Sequence, residues 1–151
     1  MKIYIATDHR GVKREQEIIK YLEEKKIDYQ VSKLPHSDTD DYVDFAIDVA
    51  EHVVNDNDSF GILICGTGIG MSIAANKVKG IRAARCVTED DAYWTRNDNN
   101  ANVLCIGYNL DLDNNKRIID KFINTEFSKE ERHIRRVNKI TQYENGITNE
   151  N

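Results

Sequence analysis

Residues 62–77 read ILICGTGIGMSIAANK, and the fold turns on how that stretch is parsed. An apolar run over 62–65 ends in the thiol of Cys65. Gly66, Gly68 and Gly70 then alternate with Thr67 and Ile69, and a helical pattern begins near Gly70. Continuous rather than alternating apolarity marks a strand covered on both faces. Runs at 2–6, 81–87 and 102–107 have the same character, and a weaker one spans 28–34. Helical patterns lie between them over 13–25, 44–55 and 114–124. In the second of these Phe45, Val49 and Val53 recur on one face. This alternation predicts an α/β fold: a doubly wound, mainly parallel sheet of about five strands flanked by helices. Residues 1–144 are expected to form one domain, with 145–151 a polar tail.

The composition sets limits on function. At 151 residues, 40% hydrophobic and 31% charged, the chain is long enough to bury a core of its own. No apolar run approaches the roughly 18 residues of a membrane span. The opening MKIYIATDHRG enters a strand pattern without the regions of a signal peptide, so a cytoplasmic location is expected. The net charge of −5 argues against a nucleic-acid partner. Cys65, Cys86 and Cys105 stand far apart with no Cys-x-x-Cys. They read as reduced thiols rather than as a disulfide framework or a zinc ribbon.

In an open α/β sheet, ligands bind beyond the carboxyl ends of the strands. That rule selects residues 7–11, residues 66–70 and the loops after the last two strands. Glycines admit positive φ and a close backbone approach, and the amides there suit a negative group. A Walker loop would need lysine where Met71 stands between Gly70 and Ser72, and a dinucleotide fingerprint would need glycine there. The loop therefore suits an anion smaller than a nucleotide. Cys65, at the functional edge, is placed to act as a general base or a nucleophile. Cys86 and Cys105 lie within apolar runs and read as core. Asp8 and His9, adjacent on a strand-end loop, point to ligand contact. Tyr42 lies just ahead of an amphipathic helix, where capping and packing are the plain interpretation. Arg132 and Arg136 are four apart, so on a helix they share a face. That face is either a solvated basic surface or a fork for one phosphate.

Together these residues resemble the ribose-5-phosphate isomerase B family, shared with the galactose-6-phosphate isomerase subunits. The resemblance runs from Met1 to Ile140. It is carried by GILICGTGIGMSIAANKVKGIRAA, with DHRG, DYVDFA, NANVL and RHIRRV in the expected order. It implies a Rossmann-like fold, with a C-terminal helix extending to a partner subunit. The implied activity is aldose–ketose isomerisation of a phosphosugar, ribose 5-phosphate to ribulose 5-phosphate, through an enediolate without metal or organic cofactor. By that likeness Cys65 is the general base, Thr67 assists ring opening, and the amides of Gly66, Gly68, Ile69 and Gly70 hold the enediolate oxygen. Some members use an acid just after the last loop glycine instead; Met71 places this chain with the cysteine type. Asp8 and Tyr42 match substrate-pocket residues, and His9, Arg132 and Arg136 match the phosphate-binding set. Asn99 matches an asparagine supplied by a neighbouring subunit, which implies a homodimer or tetramer with sites between subunits.

Two departures bear on substrate choice. Asp98 stands where the family usually has a ring-opening histidine, and Asn109 where it commonly has a phosphate-side arginine. A hexose 6-phosphate such as allose or galactose 6-phosphate is therefore an alternative substrate. A non-catalytic phosphosugar-binding protein is the alternative from another class.

Overall fold

The computed structural model describes residues 1–147; of the polar tail expected over 145–151, residues 148–151 lie outside the described residues. The chain alternates strands and helices: β1 (Lys2–Thr7), α1 (Val12–Glu24), β2 (Asp28–Val31), α2 (Tyr42–Val54), β3 (Ser59–Cys65) and α3 (Ile69–Ala75). It continues through β4 (Ala83–Arg85), α4 (Glu89–Asn97), β5 (Val103–Gly107), α5 (Leu112–Asn124) and α6 (Glu131–Glu144). The strands form one parallel sheet in the order β2-β1-β3-β5-β4. From β1 the chain turns outward to β2, and it then resumes on the other side at β3. The switch point therefore falls between β1 and β3, where a crevice opens at the strands' carboxyl ends.

The period-2 alternation of a strand divides β3 between two cores. Ile62 and Ile64 pack with Ile3, Ile5, Leu104 and Ile106 beneath Ile18 and Leu22 of α1 and Ile118, Ile119 and Phe122 of α5. Leu63 and Cys65 face the other way, onto Phe45 and Val49 of α2 and Met71 of α3. Both faces are covered, which explains the unbroken apolar runs. Each fully buried Ile, Leu or Phe contributes about 1.5–3 kcal/mol of transfer free energy, so the two layers together hold the sheet rigid beneath its strand-end loops. In register, Cys65 pairs with Gly107 and Thr7 with Ile64, which brings the loops after β1, β3 and β5 together at one edge. Thr7, fully buried, donates its hydroxyl to the Ile64 carbonyl at 2.8 Å.

Three local expectations change. The strand foreseen over 81–87 is only Ala83–Arg85, because β4 is an edge strand paired on one side. The helix after the glycine loop begins at Ile69. Of the three loop glycines only Gly68 has positive φ, at 82°. Gly70 is needed for a close approach instead.

Candidate active site

Cys65 ends β3 with its side chain turned to the α2–α3 face, 8% exposed. The chain then bends sharply. Gly68, in the left-handed region, turns its N–H back onto the sulfur at 3.1 Å, and Thr67 Oγ1 accepts from the Ile69 N–H at 3.2 Å. A β-carbon on Gly68 would lie 3.1 Å from the Cys105 carbonyl oxygen, so no side chain fits without strain. The first turn of α3 leaves amides without helical partners beside the thiol. On the far side the loop is tied down by β5: Tyr108 and Asn109 donate their N–H groups to the carbonyls of Cys65 and Gly66 at 3.0 and 3.1 Å.

Tyr42, the first residue of α2, covers this loop. A β-carbon on Gly70 would lie 2.8 Å from the tyrosine Cζ and 3.2 Å from its hydroxyl. Glycine here admits a ring, so Tyr42 does more than pack its own helix. Asp8 and His9 stand on the turn after β1, the strand paired beside β3. Asp8 caps that turn by accepting from the Arg10 N–H at 3.1 Å. His9 is held by Asp40, which accepts from its backbone N–H at 3.0 Å and faces its Nδ1 at 2.6 Å. The switch-point crevice thus collects Asp8, His9, Tyr42, Cys65, Gly66, Thr67, Gly68, Ile69 and Gly70.

The remaining four predicted residues lie elsewhere on the same chain. Asp98 and Asn99 follow α4 and precede β5, at the amino ends of the strands. Four residue steps of β5 separate that edge from the one that carries Cys65, roughly 13 Å at the usual strand rise. Arg132 and Arg136 are on α6, which packs at that far edge. Buried His133 on α6 places Nε2 3.7 Å from Asp98 Oδ1 and its Nδ1 2.7 Å from Ser128 Oγ. Arg132 reaches Glu130 at 3.0 Å, and its Nε lies 3.4 Å from His133 Nε2. Asn99 lines a groove of about 400 Å³ with Asn76, Ile81, Ala84 and Ile140. Within this chain the two groups of residues do not meet.

Two groups at the crevice escaped sequence reasoning. Arg85, at the end of β4, donates to the Thr67 carbonyl at 2.8 Å and braces the glycine loop from across β5. Asp40 joins His9 to His36, whose Nδ1 lies 2.9 Å from Asp40 Oδ2. The only local cue was the four-residue spacing of His36 and Asp40. A larger groove, about 540 Å³, lies between α4 and α5 and is lined by Glu89, Tyr93, Arg117 and Lys121; Cys65 is not part of it. Volume is thus a poorer guide than the convergence of polar groups at the strand ends. Among the described residues no three His, Cys, Asp or Glu are grouped to hold a metal ion, and no helix is long and apolar enough to cross a membrane.

Comparison with known proteins identifies the family. The model of a family described as Ribose/Galactose Isomerase matches residues 3–140. The chain is 42% identical to a probable ribose-5-phosphate isomerase B of Mycoplasma pneumoniae, over 94% of each chain. It is 44% identical to a putative sugar phosphate isomerase of Bacillus subtilis, over 95% of this chain and 97% of that one. Two solved structures are similar throughout. Ribose-5-phosphate isomerase B of Mycoplasma genitalium, with bound ribulose-5-phosphate, superposes with a TM-score of 0.89 at 41% identity, over 95% of this chain and 96% of the other. The type B ribose 5-phosphate isomerase of Trypanosoma cruzi gives 0.90 at 40% identity, over 97% and 99%.

Proposed function

The chain belongs to the ribose/galactose isomerase family and is a sugar-phosphate aldose–ketose isomerase of the ribose-5-phosphate isomerase B type; on that premise we propose that it interconverts ribose 5-phosphate and ribulose 5-phosphate with Cys65 as general base. The observation that carries this is the Gly68 N–H aimed at the Cys65 sulfur from 3.1 Å, in the crevice shared by Asp8, His9 and Tyr42. A donor there complements negative charge on sulfur. The thiolate takes the proton from C2 of the open-chain sugar, and charge moves to the oxygen on C1. A proton then shifts from the hydroxyl on C2 to the oxygen on C1, and Cys65 returns its proton to C1, giving the ketose. Amides of Gly66 and Gly70 hold the oxygen that becomes negative, joined by those of Gly68 and Ile69 as they leave the sulfur and the Thr67 hydroxyl, and this is usually the largest stabilisation such a site supplies. The exposed Thr67 hydroxyl assists opening of the furanose ring. Asp8 holds sugar hydroxyls, and His9 binds the phosphate.

A second protomer completes the site. Asp98, Asn99, Arg132 and Arg136 reach the crevice from a neighbour, since one chain keeps them at the opposite edge of its sheet. Exposed Ile69 and Ile73 on α3, Trp94 on α4, and Ile140 and Tyr143 on α6 supply apolar surface beside both half-sites. In that arrangement α6 extends to the partner, Arg132 and Arg136 grip the phosphate, and Asp98 takes the ring-opening proton. The resulting homodimer acts in the cytoplasm, where its three unpaired thiols persist.

Asp98 and Asn109 favour a hexose 6-phosphate as the second candidate. Comparing kcat/KM for ribose, allose and galactose phosphates separates the two, and a tenfold hexose preference overturns the pentose assignment. Binding of all three with no exchange of the C2 proton into solvent would instead establish a non-catalytic phosphosugar-binding protein.

A further inference from the structure

Asp40 is outside the residues assigned above to the substrate, yet it grips one of them twice. Its Oδ1 accepts from the His9 backbone N–H at 3.0 Å and faces His9 Nδ1 at 2.6 Å. Its Oδ2 faces His36 Nδ1 at 2.9 Å and accepts from the Ser37 N–H at 3.2 Å. The side chain is 9% exposed, and the His36 ring stacks on Phe45 with centroids 4.9 Å apart. Burial pushes the Asp40 carboxyl up, but the His9 N–H and ring, the His36 ring and the Ser37 N–H together hold it well below the usual carboxylate range. An ionised carboxylate only accepts, so both facing ring nitrogens must carry hydrogen. His9 is therefore the Nδ1–H tautomer, and its Nε2 is the ring atom left to a ligand.

We propose that Asp40 is a positioning residue for the phosphate end of the substrate. It fixes the tautomer and rotamer of His9 and supports positive charge on the ring once Nε2 gains a proton, so that Nε2–H donates to phosphate oxygen. Phosphate is the ligand class this arrangement suits: a cationic N–H donor backed by a buried carboxylate binds a dianion more strongly than a neutral imidazole does. The same carboxylate ties the 32–41 segment to the β1 turn, directly before Tyr42. One side chain thus sets both the phosphate contact and the tyrosine that covers Gly70. His36 and Ser37 supply the outer donors that keep Asp40 in place. The inference rests on His9 as a phosphate contact.

The test is inhibition by inorganic phosphate, measured with the turnover of ribose 5-phosphate. Asp40→Asn keeps the shape and removes the charge. The phosphate inhibition constant and KM are expected to rise together by about tenfold, the loss of one charge-assisted bond, with kcat within about threefold of wild type. His9→Asn serves as reference, and the double variant is expected to be no weaker than His9→Asn alone. Fully additive effects would show that Asp40 acts through the loop rather than through His9, and would overturn the proposal. If His9→Asn itself leaves phosphate inhibition unchanged, the assignment of His9 fails first. Should Asp40→Asn unfold, ring nitrogen NMR of the wild type at alkaline pH decides: protonated Nδ1 on His9 is expected, and protonated Nε2 contradicts it.

Discussion

Gly68→Ala and Gly66→Ala make the same chemical change two residues apart, and the structure assigns them opposite outcomes. At Gly68 the backbone sits at φ 82°, and an added β-carbon lies 3.1 Å from the Cys105 carbonyl oxygen and 3.2 Å from the Cys105 and Ile106 carbonyl carbons. Those neighbours are backbone of β5, which is paired on both sides, and cannot step aside. Left-handed strain alone costs about 1–3 kcal/mol for a non-glycine residue. About 2 kcal/mol lowers Tm by about 4–8 °C in a chain of this size. Any relaxation also moves the Gly68 N–H off the Cys65 sulfur, so kcat is expected to fall by about a hundredfold, as for loss of one preorganised donor. At Gly66 the nearest atoms to an added β-carbon are Tyr108 Oη and Cζ at 3.7 and 3.8 Å, an ordinary contact, and φ is not positive. Alanine there is expected to leave Tm at or slightly above wild type, because it restricts the unfolded chain. Thermal unfolding followed by circular dichroism, with initial rates on ribose 5-phosphate, reads both variants. Equal Tm values for the two would refute the account of the loop.

Glu15, buried on α1, has its carboxyl pushed up to about 7 by burial, against the opposing charge of His36. Its folded value lies above its unfolded one, so the stabilisation is complete below about pH 4.5 and is lost as pH rises through about 7. Glu15→Gln is therefore expected to match wild type in Tm at pH 4.5 and to exceed it at pH 8; a constant offset would contradict this. Arg96, buried on α4, donates to the carbonyls of Ala101 and Thr125 at 2.6 and 3.1 Å and to Asn100 Oδ1 at 2.9 Å, with its guanidinium 4.6 Å from the Phe60 ring. Arg96→Met strips the turn after Asp98 and Asn99 of these donors and is expected to cost about 3 kcal/mol in urea unfolding. A loss under about 1 kcal/mol would show that the turn holds itself.

The central strand, the glycine turn and the helix after it were legible because one segment carried all three signals: apolar continuity, a backbone that needs glycine, and helical periodicity. The same signals are absent from α4. Its sequence EDDAYWTRN buries only Ala92 and Arg96, so no apolar stripe marks it. Its one cue is the reciprocal capping of Thr88 and Asp91. β4 was overestimated because the apolar run outlasts the ladder: Cys86 makes one last bond, its N–H to the Cys105 carbonyl at 3.1 Å, and its side chain is buried by packing outside the strand. The contact between Asp40 and His9 spans 31 positions and follows from loop packing, which no local pattern encodes. Nor could sequence order reveal that Asp98, Asn99, Arg132 and Arg136 gather at the amino edge of the sheet while Cys65 sits at the carboxyl edge. That division follows from parallel topology together with the placement of α4 and α6.

The central claim, that Cys65 moves the proton between C2 and C1, is tested most directly by exchange of the C2 proton of ribose 5-phosphate with solvent in wild type and Cys65→Ala. The account predicts ribulose 5-phosphate formation with C2 exchange in wild type. In the variant both are expected to fall by about 10²–10⁴, the usual range for a positioned base, while thermal stability and phosphate inhibition are kept. Exchange by Cys65→Ala within tenfold of wild type would contradict it.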